Sequence, residues 1–166
     1  MTAPAADLTG ISAAIIVAST RAATGSRPDA HAEELSRTLG ELGLDVHPAR
    51  IVADGDPVGA AIRDALDTGA RVILTTGGTG LTPDDTTPEQ TRAVIDREVP
   101  GITEAIRAKG YAAVPTALLS RAVCGVAGNA VVLNMPGSRG GITDSLAVFM
   151  PLLPHLLAQL DDDHEH

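Results

Sequence analysis

The feature that most constrains the fold is an alternation of two kinds of segment along the chain. Short runs rich in apolar and β-branched residues, at 13–18 and 71–75, are typical of strands buried on both faces of a sheet. Between them, 31–43 and 56–69 carry apolar residues at helical spacing, and each segment ends in a glycine that predicts the helix stop. This alternation predicts a three-layer α/β/α fold with a mostly parallel sheet covered by helices on both faces.

The remaining segments extend the same pattern. Residues 44–52 are predicted to form a strand, and Pro48 within it favours a sheet edge or a bulge. Residues 118–126 and 130–134 are two apolar runs that predict a hairpin. A last helix is predicted for 143–160, with a kink or break at its two internal prolines.

The size of the chain suits one domain with one core, because it has 166 residues. We predict that domain for 12–160, between a flexible N-terminal segment at 1–11 and a polar tail at 161–166. The single cysteine, Cys124, allows no disulfide within the chain and no cysteine metal cage, and its apolar surroundings place it in the core.

Charge and composition exclude some classes of partner. The formal net charge is −9, which argues against a broad electrostatic grip on nucleic acid, and one Tyr with one Phe offers no platform for stacked bases. The apolar runs are too short to span a bilayer, and the N-terminus lacks the pattern of a signal peptide. A cytoplasmic protein with no nucleic-acid or membrane partner is therefore expected.

The most informative segment is a glycine-rich loop that follows the predicted strand at 71–75. Its glycines permit positive φ and close approach of the main chain to a ligand, and successive N–H groups in such a turn bind anions. The loop matches neither the Walker A motif nor the dinucleotide fingerprint. A tight strand-to-helix connection without a ligand is the alternative. The loop residues that we predict to bind substrate are Thr76, Gly77, Gly78, Thr79 and Gly80.

Acidic residues stand at the same predicted edge of the sheet. Asp84 and Asp85 follow the glycine loop, and Asp54 follows the strand at 44–52. A carboxylate beside phosphates is repulsive unless a cation lies between them, which favours Mg²⁺. Each acid also has a structural interpretation, as a helix cap or a turn residue. Asp56 is expected to cap the helix that follows it, while Thr86 and Thr87 can cap the next one.

A second loop should lie nearby, because parallel strands bring the loops after 18, 52, 75 and 134 to their carboxyl ends, where open α/β sheets bind ligands. This loop offers backbone N–H donors and a hydroxyl from Pro136, Gly137 and Ser138. Ser120 and its neighbour Arg121 could reach a phosphate or could form an ordinary surface pair.

These motifs together resemble the MogA/MoaB family of molybdenum-cofactor biosynthesis, to which the gephyrin and plant cofactor-protein G domains belong. The similarity covers about residues 12–160, and the motifs occur in the family's order. The matching segments are Thr76-Gly-Gly-Thr-Gly80, Asp85-x-Thr-Pro-Glu89, Pro100-Gly101, Leu119-Ser-Arg121 and Leu133-Asn-Met-Pro-Gly-Ser138.

The resemblance implies molybdopterin adenylyltransferase activity: ATP and molybdopterin give adenylyl-molybdopterin and pyrophosphate, with Mg²⁺, on a homotrimer. The family's two functional aspartates correspond to Asp54 and Asp85, which would be catalytic and hold the metal. A molybdenum insertase would act downstream. The nucleophile would be the phosphate of molybdopterin, so no nucleophilic serine or general-base histidine is needed.

Two departures from the family pattern leave alternatives open. Residues 25–31 replace an Asp-x-Ser/Cys-Gly-Pro signature, and Asp84 stands where the family often has arginine. The alternatives are a molybdopterin-binding carrier or paralogue without catalysis, and a nucleotide pyrophosphatase on the same fold, like that of the competence-damage proteins. A scaffold role, as gephyrin has at synapses, finds no support in the sequence.

Overall fold

The computed structural model describes residues 7–25 and 30–161. It is an α/β structure that also contains a 3₁₀ helix at Pro115–Leu119. The strands are β1 (Ser12–Ala18), β2 (Asp45–Val46), β3 (Arg50–Val52), β4 (Val72–Thr76), β5 (Arg97–Glu98), β6 (Cys124–Ala127) and β7 (Ala130–Met135). The helices are α1 (Thr20–Ala23), α2 (Ala30–Glu41), α3 (Asp56–Asp67), α4 (Thr87–Arg92), α5 (Pro100–Tyr111), α6 (Arg139–Phe149) and α7 (Leu153–Asp161).

The strands form one mixed sheet in the order β2-β1-β4-β7-β6-β5, and β3 also pairs with β1. The pairings of β1 with β2, β3 and β4, and of β4 with β7, are parallel. Only the β5–β6 and β6–β7 pairs within the described residues are antiparallel. The predicted fold class, a mostly parallel sheet between helices, is confirmed.

Two apolar clusters fill the space on either side of the sheet. Successive residues of the central strand β4 point to opposite faces, so Leu74 joins one cluster and Ile73 the other. The first cluster contains residues of α2, α5, α6 and α7, including the buried Phe149, whereas the second is covered by α3. Cys124 lies in the first cluster, as predicted, and burial raises the pKa of its thiol to about 12.

Three predicted elements differ in their bounds. The strand predicted at 44–52 is interrupted around Pro48, which has no N–H for the ladder, so β2 and β3 pair separately with β1. Leu118 and Leu119 belong to the 3₁₀ helix rather than to the hairpin strand. The last helix is broken near its prolines, as predicted, into α6 and α7, and α6 already begins at Arg139.

The predicted side-chain caps of two helices are not formed. Asp56 is the first residue of α3, and Gly55 is the cap because its φ of +96° suits only glycine. The carboxylate of Asp56 accepts a hydrogen bond from Gln90 instead. Thr86 is the N-cap residue of α4, but its side chain makes no cap hydrogen bond. Within the described residues, the hydroxyls of Thr86 and Thr87 are both buried without a hydrogen-bond partner.

Three predicted segments lie partly or wholly outside the described residues. The residues outside are 1–6 of the N-terminal segment, 26–29 of the departure from the family pattern, and 162–166 of the polar tail. Within the N-terminal segment, Leu8 is buried in the first cluster. In the part of the chain that is described, no single helix is long and apolar enough to cross a membrane. Only α6 and α7 together reach that length and composition, and they are bent by 56°.

A buried polar network holds the strand ends in register. The side-chain amide of Asn134 is fully buried; it donates to the hydroxyls of Thr75 and Thr91 at 3.0 and 2.8 Å and accepts from the N–H of Val123 at 3.1 Å. These bonds tie β7 to β4, to α4 and to the segment before β6. Since every group in the network is buried, each needs its partner.

We expect Asn134→Ala to lower the free energy of unfolding by about 1–3 kcal/mol, because it leaves buried donors and hydroxyls without partners. Urea unfolding would measure the loss. Gln159→Ala is the control, since it removes an exposed amide and should change the stability by less than about 0.5 kcal/mol. Equal effects of the two substitutions would contradict the role given to the network.

Candidate anion-binding site

The glycine loop begins where β4 ends and lies between the ends of two neighbouring strands. The N–H of Gly77 donates to the carbonyl of Met135 at the end of β7. A Cβ on Gly77 would stand 2.4 Å from the carbonyl oxygen of Ala18 at the end of β1. A Cβ on Gly137 would stand 3.4 Å from the Cα of Gly77. The loops after β1, β4 and β7 therefore meet at one edge, as predicted.

Asp54 reaches this edge from the loop after β3. Its Oδ2 accepts hydrogen bonds from the N–H of Thr20 at 3.0 Å and from the Thr20 hydroxyl at 2.9 Å. Its Oδ1 lies 3.1 Å from the position that a Cβ on Gly78 would occupy. The structure thus places Asp54 against the glycine loop, with its orientation fixed by the first turn of α1.

Asp85 lies at the other end of the same loop. Its Oδ2 accepts from the N–H of Thr82 at 2.9 Å and from the Thr82 hydroxyl at 2.7 Å. The same oxygen is 2.8 Å from the position of a Cβ on Gly80. Asp84, by contrast, is exposed. Both predicted functional aspartates therefore contact glycines of the loop, whereas Asp84 lies on its outer side.

In this loop, many backbone carbonyls form hydrogen bonds with the protein, whereas most backbone N–H groups do not. The carbonyls of Gly78, Thr79, Gly80, Thr82 and Asp85 all accept hydrogen bonds from protein donors. Within the described residues, no hydrogen bond engages six N–H groups of this segment, those of residues 78, 79, 80, 81, 84 and 86. A segment in which five carbonyls are bonded to the protein while six N–H groups are open is suited to bind an anion.

The second predicted loop contributes less through its side chains. The hydroxyl of Ser138 accepts from the N–H of Gly141 and caps α6, although its own hydrogen is still available to a ligand. Ser120 has its hydroxyl 3.4 Å from the N–H of Ala122, so its side chain contacts its own segment. Ser120 is nevertheless adjacent to the loop, because the N–H of Arg121 binds the carbonyl of Thr79.

Two residues of the site were not assigned these roles from the sequence. Thr20 orients Asp54, and its position just after β1 would have indicated it, since the loop after residue 18 was expected at this edge. Thr87 presents a buried hydroxyl 2.3 Å from the position of a Cβ on Gly78. Only the tertiary contact shows that this side chain faces the loop rather than capping α4.

Asp54 and Asp85 are the two carboxylates that the structure places against glycines of the loop. Each has one oxygen held by a threonine, which fixes its orientation. Among the residues that the structure describes, no group of three or more His, Cys, Asp or Glu could form a cage around a metal. The donor set fits Mg²⁺, which commonly takes one or two carboxylates and completes its shell with water and substrate phosphates.

An ion pair between Arg121 and Glu89 connects the glycine loop to α4. Arg121 Nη1 contacts Glu89 Oε1 in the first turn of α4. The guanidinium hydrogen bond lowers the pKa of the Glu89 carboxyl below its ordinary value of 4.5. Since this carboxylate is half-exposed, solvent screens the pair, and its contribution to stability is modest.

Comparison with known proteins finds relatives in molybdenum cofactor biosynthesis by family model, by sequence and by structure. A family model described as "Probable molybdopterin binding domain" matches residues 14–155. A molybdopterin adenylyltransferase from Haemophilus influenzae is 36% identical over 80% of this chain and 69% of its own length. A solved structure of MogA is 48% identical, with a TM-score of 0.87 over 90% of this chain and 99% of its own. The Mog protein from Mycobacterium ulcerans is 47% identical, with a TM-score of 0.86 over 90% and 98% of the two chains.

Some relatives are much longer than this chain. The molybdenum cofactor synthesis protein cinnamon of Drosophila melanogaster is 43% identical over 56% of this chain, which spans 16% of its length. A bifunctional molybdenum cofactor biosynthesis protein from Synechococcus elongatus is 36% identical over 95% of this chain, which spans half of it.

We expect Gly78→Ala to lower the free energy of unfolding by about 1–3 kcal/mol, because residue 78 has positive φ. The new methyl would also meet Thr87 and Asp54. Gly40→Ala is the control: Gly40 lies in α2 with no atom near its Cβ position, so alanine should stabilise by about 0.5–1 kcal/mol. Denaturant unfolding measures both. A neutral Gly78→Ala would refute the close packing of the loop.

The Arg121–Glu89 pair predicts a specific dependence of stability on pH. Because the folded pKa of Glu89 is lowered, its contribution is complete above the ordinary value of 4.5 and is lost as the pH falls through the folded pKa. The stability difference between wild type and Glu89→Gln should therefore shrink on acidification below that value. Unfolding at a series of pH values tests this, and a difference that does not change with pH would count against the pair. Arg121→Gln should raise the Glu89 pKa in a carboxyl-carbon NMR titration.

Proposed function

This chain belongs to the MogA/MoaB family of molybdopterin-binding proteins, and on that premise we propose that it acts in molybdenum cofactor biosynthesis as a molybdopterin adenylyltransferase. In the proposed reaction, a phosphate oxygen of molybdopterin attacks the α-phosphorus of ATP. One P–O bond forms, the bond from the α-phosphorus to the bridging oxygen breaks, and pyrophosphate leaves with the electron pair. The products are adenylyl-molybdopterin and pyrophosphate.

The observation that carries the proposal is the set of open N–H groups on the loop after β4. Six donors on residues 78–81, 84 and 86 offer neutral, fixed dipoles to a polyphosphate. Backbone dipoles can bind a phosphate group without an excess of positive charge, which suits a chain with a net charge of −9. Donors that are fixed before the reaction also stabilise the charge that moves onto the leaving pyrophosphate.

Asp54 and Asp85 would hold Mg²⁺ together with the phosphates of ATP, and the ion would neutralise charge on the phosphates during transfer. The protein's own part is to present each carboxylate in a fixed orientation. Thr20 does so for Asp54, and Thr82 does so for Asp85. Because the attacking phosphate is already ionised at neutral pH, positioning can replace acid–base catalysis.

The remaining parts of the proposal concern the second substrate and the partners. Thr76 and Thr79 belong to the phosphate loop, while Ser120 and the loop at 136–138 would contact molybdopterin or the rest of ATP. The names of the relatives support both substrates. We further propose a homotrimer in the cytoplasm that passes its product to a molybdenum insertase.

A turnover assay decides between this function and its alternatives. Purified protein, molybdopterin, ATP and Mg²⁺ should yield pyrophosphate and adenylylated pterin in equal amounts, and both should require the pterin. Tight binding of molybdopterin with neither product would indicate a carrier. Cleavage of a dinucleotide in the absence of pterin would indicate a pyrophosphatase.

We expect Asp85→Asn and Asp54→Asn each to lower kcat/KM by about 100-fold or more, because a loop carboxylate near transferring phosphates acts mainly in the transition state. Asp84→Asn is the matched control: it removes a neighbouring exposed carboxylate and should change kcat/KM by only about two- to threefold. Steady-state kinetics with thermal unfolding of each variant separates activity from folding. Wild-type turnover by Asp85→Asn would disprove its assigned role.

A further inference from the structure

One side chain holds most of the glycine loop in place. Arg121 Nε donates to the carbonyl of Gly80 at 2.8 Å, and Nη2 donates to the carbonyl of Asp85. The backbone N–H of the same arginine donates to the carbonyl of Thr79 at 2.9 Å. Arg121 therefore binds three of the loop carbonyls, and its ion pair with Glu89 connects the loop to α4.

Binding these carbonyls also fixes the direction of the open donors. In a planar trans peptide the C=O of one residue and the N–H of the next point in opposite directions. With the carbonyls of Thr79, Gly80 and Asp85 turned toward Arg121, the N–H groups of Gly80, Leu81 and Thr86 point away from it. Those three N–H groups are among the six that have no partner within the described residues. Thr87 orients a fourth peptide, the one that joins Gly78 to Thr79, because its N–H donates to the carbonyl of Gly78.

We propose that Arg121 is a positioning residue for the polyphosphate of the nucleotide: it orients the N–H donors of the loop by holding their carbonyl partners on the opposite side. The proposal rests on the adenylyltransferase function and deepens it, since it names the residue that preorganises the anion site. Arg121 itself does not bind the phosphates.

The geometry separates this role from that of a phosphate ligand. All three guanidinium nitrogens of Arg121 already donate to protein acceptors, and its charge is paired with Glu89. The side chain is partly buried, and it lies on the side of the loop to which the carbonyls of Gly80 and Asp85 point. Two carbonyls and a carboxylate around one planar group require the fork of a guanidinium, because an ammonium group is a single point with a different arrangement of donors.

Arg71 provides a matched control at the amino-terminal end of β4, at the other end of this strand from the glycine loop. It also joins a carbonyl to a carboxylate, with Nε donating to Asn129 at 2.7 Å and Nη2 contacting Asp161 at 2.7 Å. Its side chain is also partly buried, with 19% exposed against 34% for Arg121. Arg71 stands just before β4 begins, whereas the glycine loop follows the end of that strand. Lysine at either position should therefore cost similar stability but affect different parts of the molecule.

The experiment compares Arg121→Lys, Arg71→Lys and wild type in three measurements: thermal unfolding, calorimetric binding of pyrophosphate with Mg²⁺, and kinetics with varied ATP. We expect the two variants to lose similar thermal stability. Only Arg121→Lys should bind pyrophosphate more weakly, by about tenfold, and lose about 100-fold in kcat/KM for ATP, because small misplacement of binding groups has effects of this size. Glu89→Gln, which keeps the carbonyl contacts, should lose much less of either.

The outcomes distinguish this proposal from the proposed function. If Arg121→Lys and Arg71→Lys show equal losses of pyrophosphate binding, or if neither shows a loss, the positioning role is wrong. If wild type binds pyrophosphate but makes no adenylylated pterin, the adenylyltransferase function fails, while a selective loss in Arg121→Lys would still support the role in anion binding. If wild type binds neither pyrophosphate nor ATP, both proposals fall together.

Discussion

The parallel pairing of β1, β4 and β7 brings together the loops in which we propose that the chemistry of this molecule takes place. In this register Val17, Thr76 and Met135 stand side by side at the carboxyl ends of the three strands, so the chain leaves the sheet three times at one level. The strands are buried on both faces and can carry few polar groups away from their ends. Asn134 and Thr75, one residue before the ends, are the exception, and they satisfy each other. Polar groups that must meet a ligand are therefore confined to the loops.

Within those loops, the polarity of the peptide group is the next constraint. Five carbonyls of the loop are bonded to protein donors, and a peptide that turns its carbonyl toward such a donor turns its N–H away from it. Gly77 and Gly78 adopt the positive φ that this turn requires. They also lack a Cβ, which would collide with Ala18 at position 77 and with Thr87 at position 78. We propose that anion binding follows from the way in which the loop bonds these carbonyls.

Much of this arrangement could be predicted from the sequence. The apolar run at 13–18 and the helical spacing at 31–43 reflect local pattern, and the gathering of loops follows from handedness and strand order. The contacts of particular groups could not be predicted in the same way. Arg121 was equally compatible with a phosphate contact or a surface pair, and Thr87 carried a capping pattern that its packing against Gly78 overrides. Such roles depend on neighbours that are distant in the chain.

The distribution of charge completes the argument for an anionic ligand on an acidic protein. From residue 105 to residue 143 the sequence contains four basic residues and no aspartate or glutamate, although the whole chain is strongly acidic. This stretch includes Arg121 and the loop at 136–138, both of which contact the glycine loop, and Arg121 is paired with Glu89 from another segment. The acids nearest the glycine loop, Asp54 and Asp85, come from other segments and are each oriented by a threonine. Open N–H groups beside two oriented carboxylates suit a polyphosphate that arrives with its own divalent cation, because the cation offsets the repulsion that the carboxylates would otherwise exert.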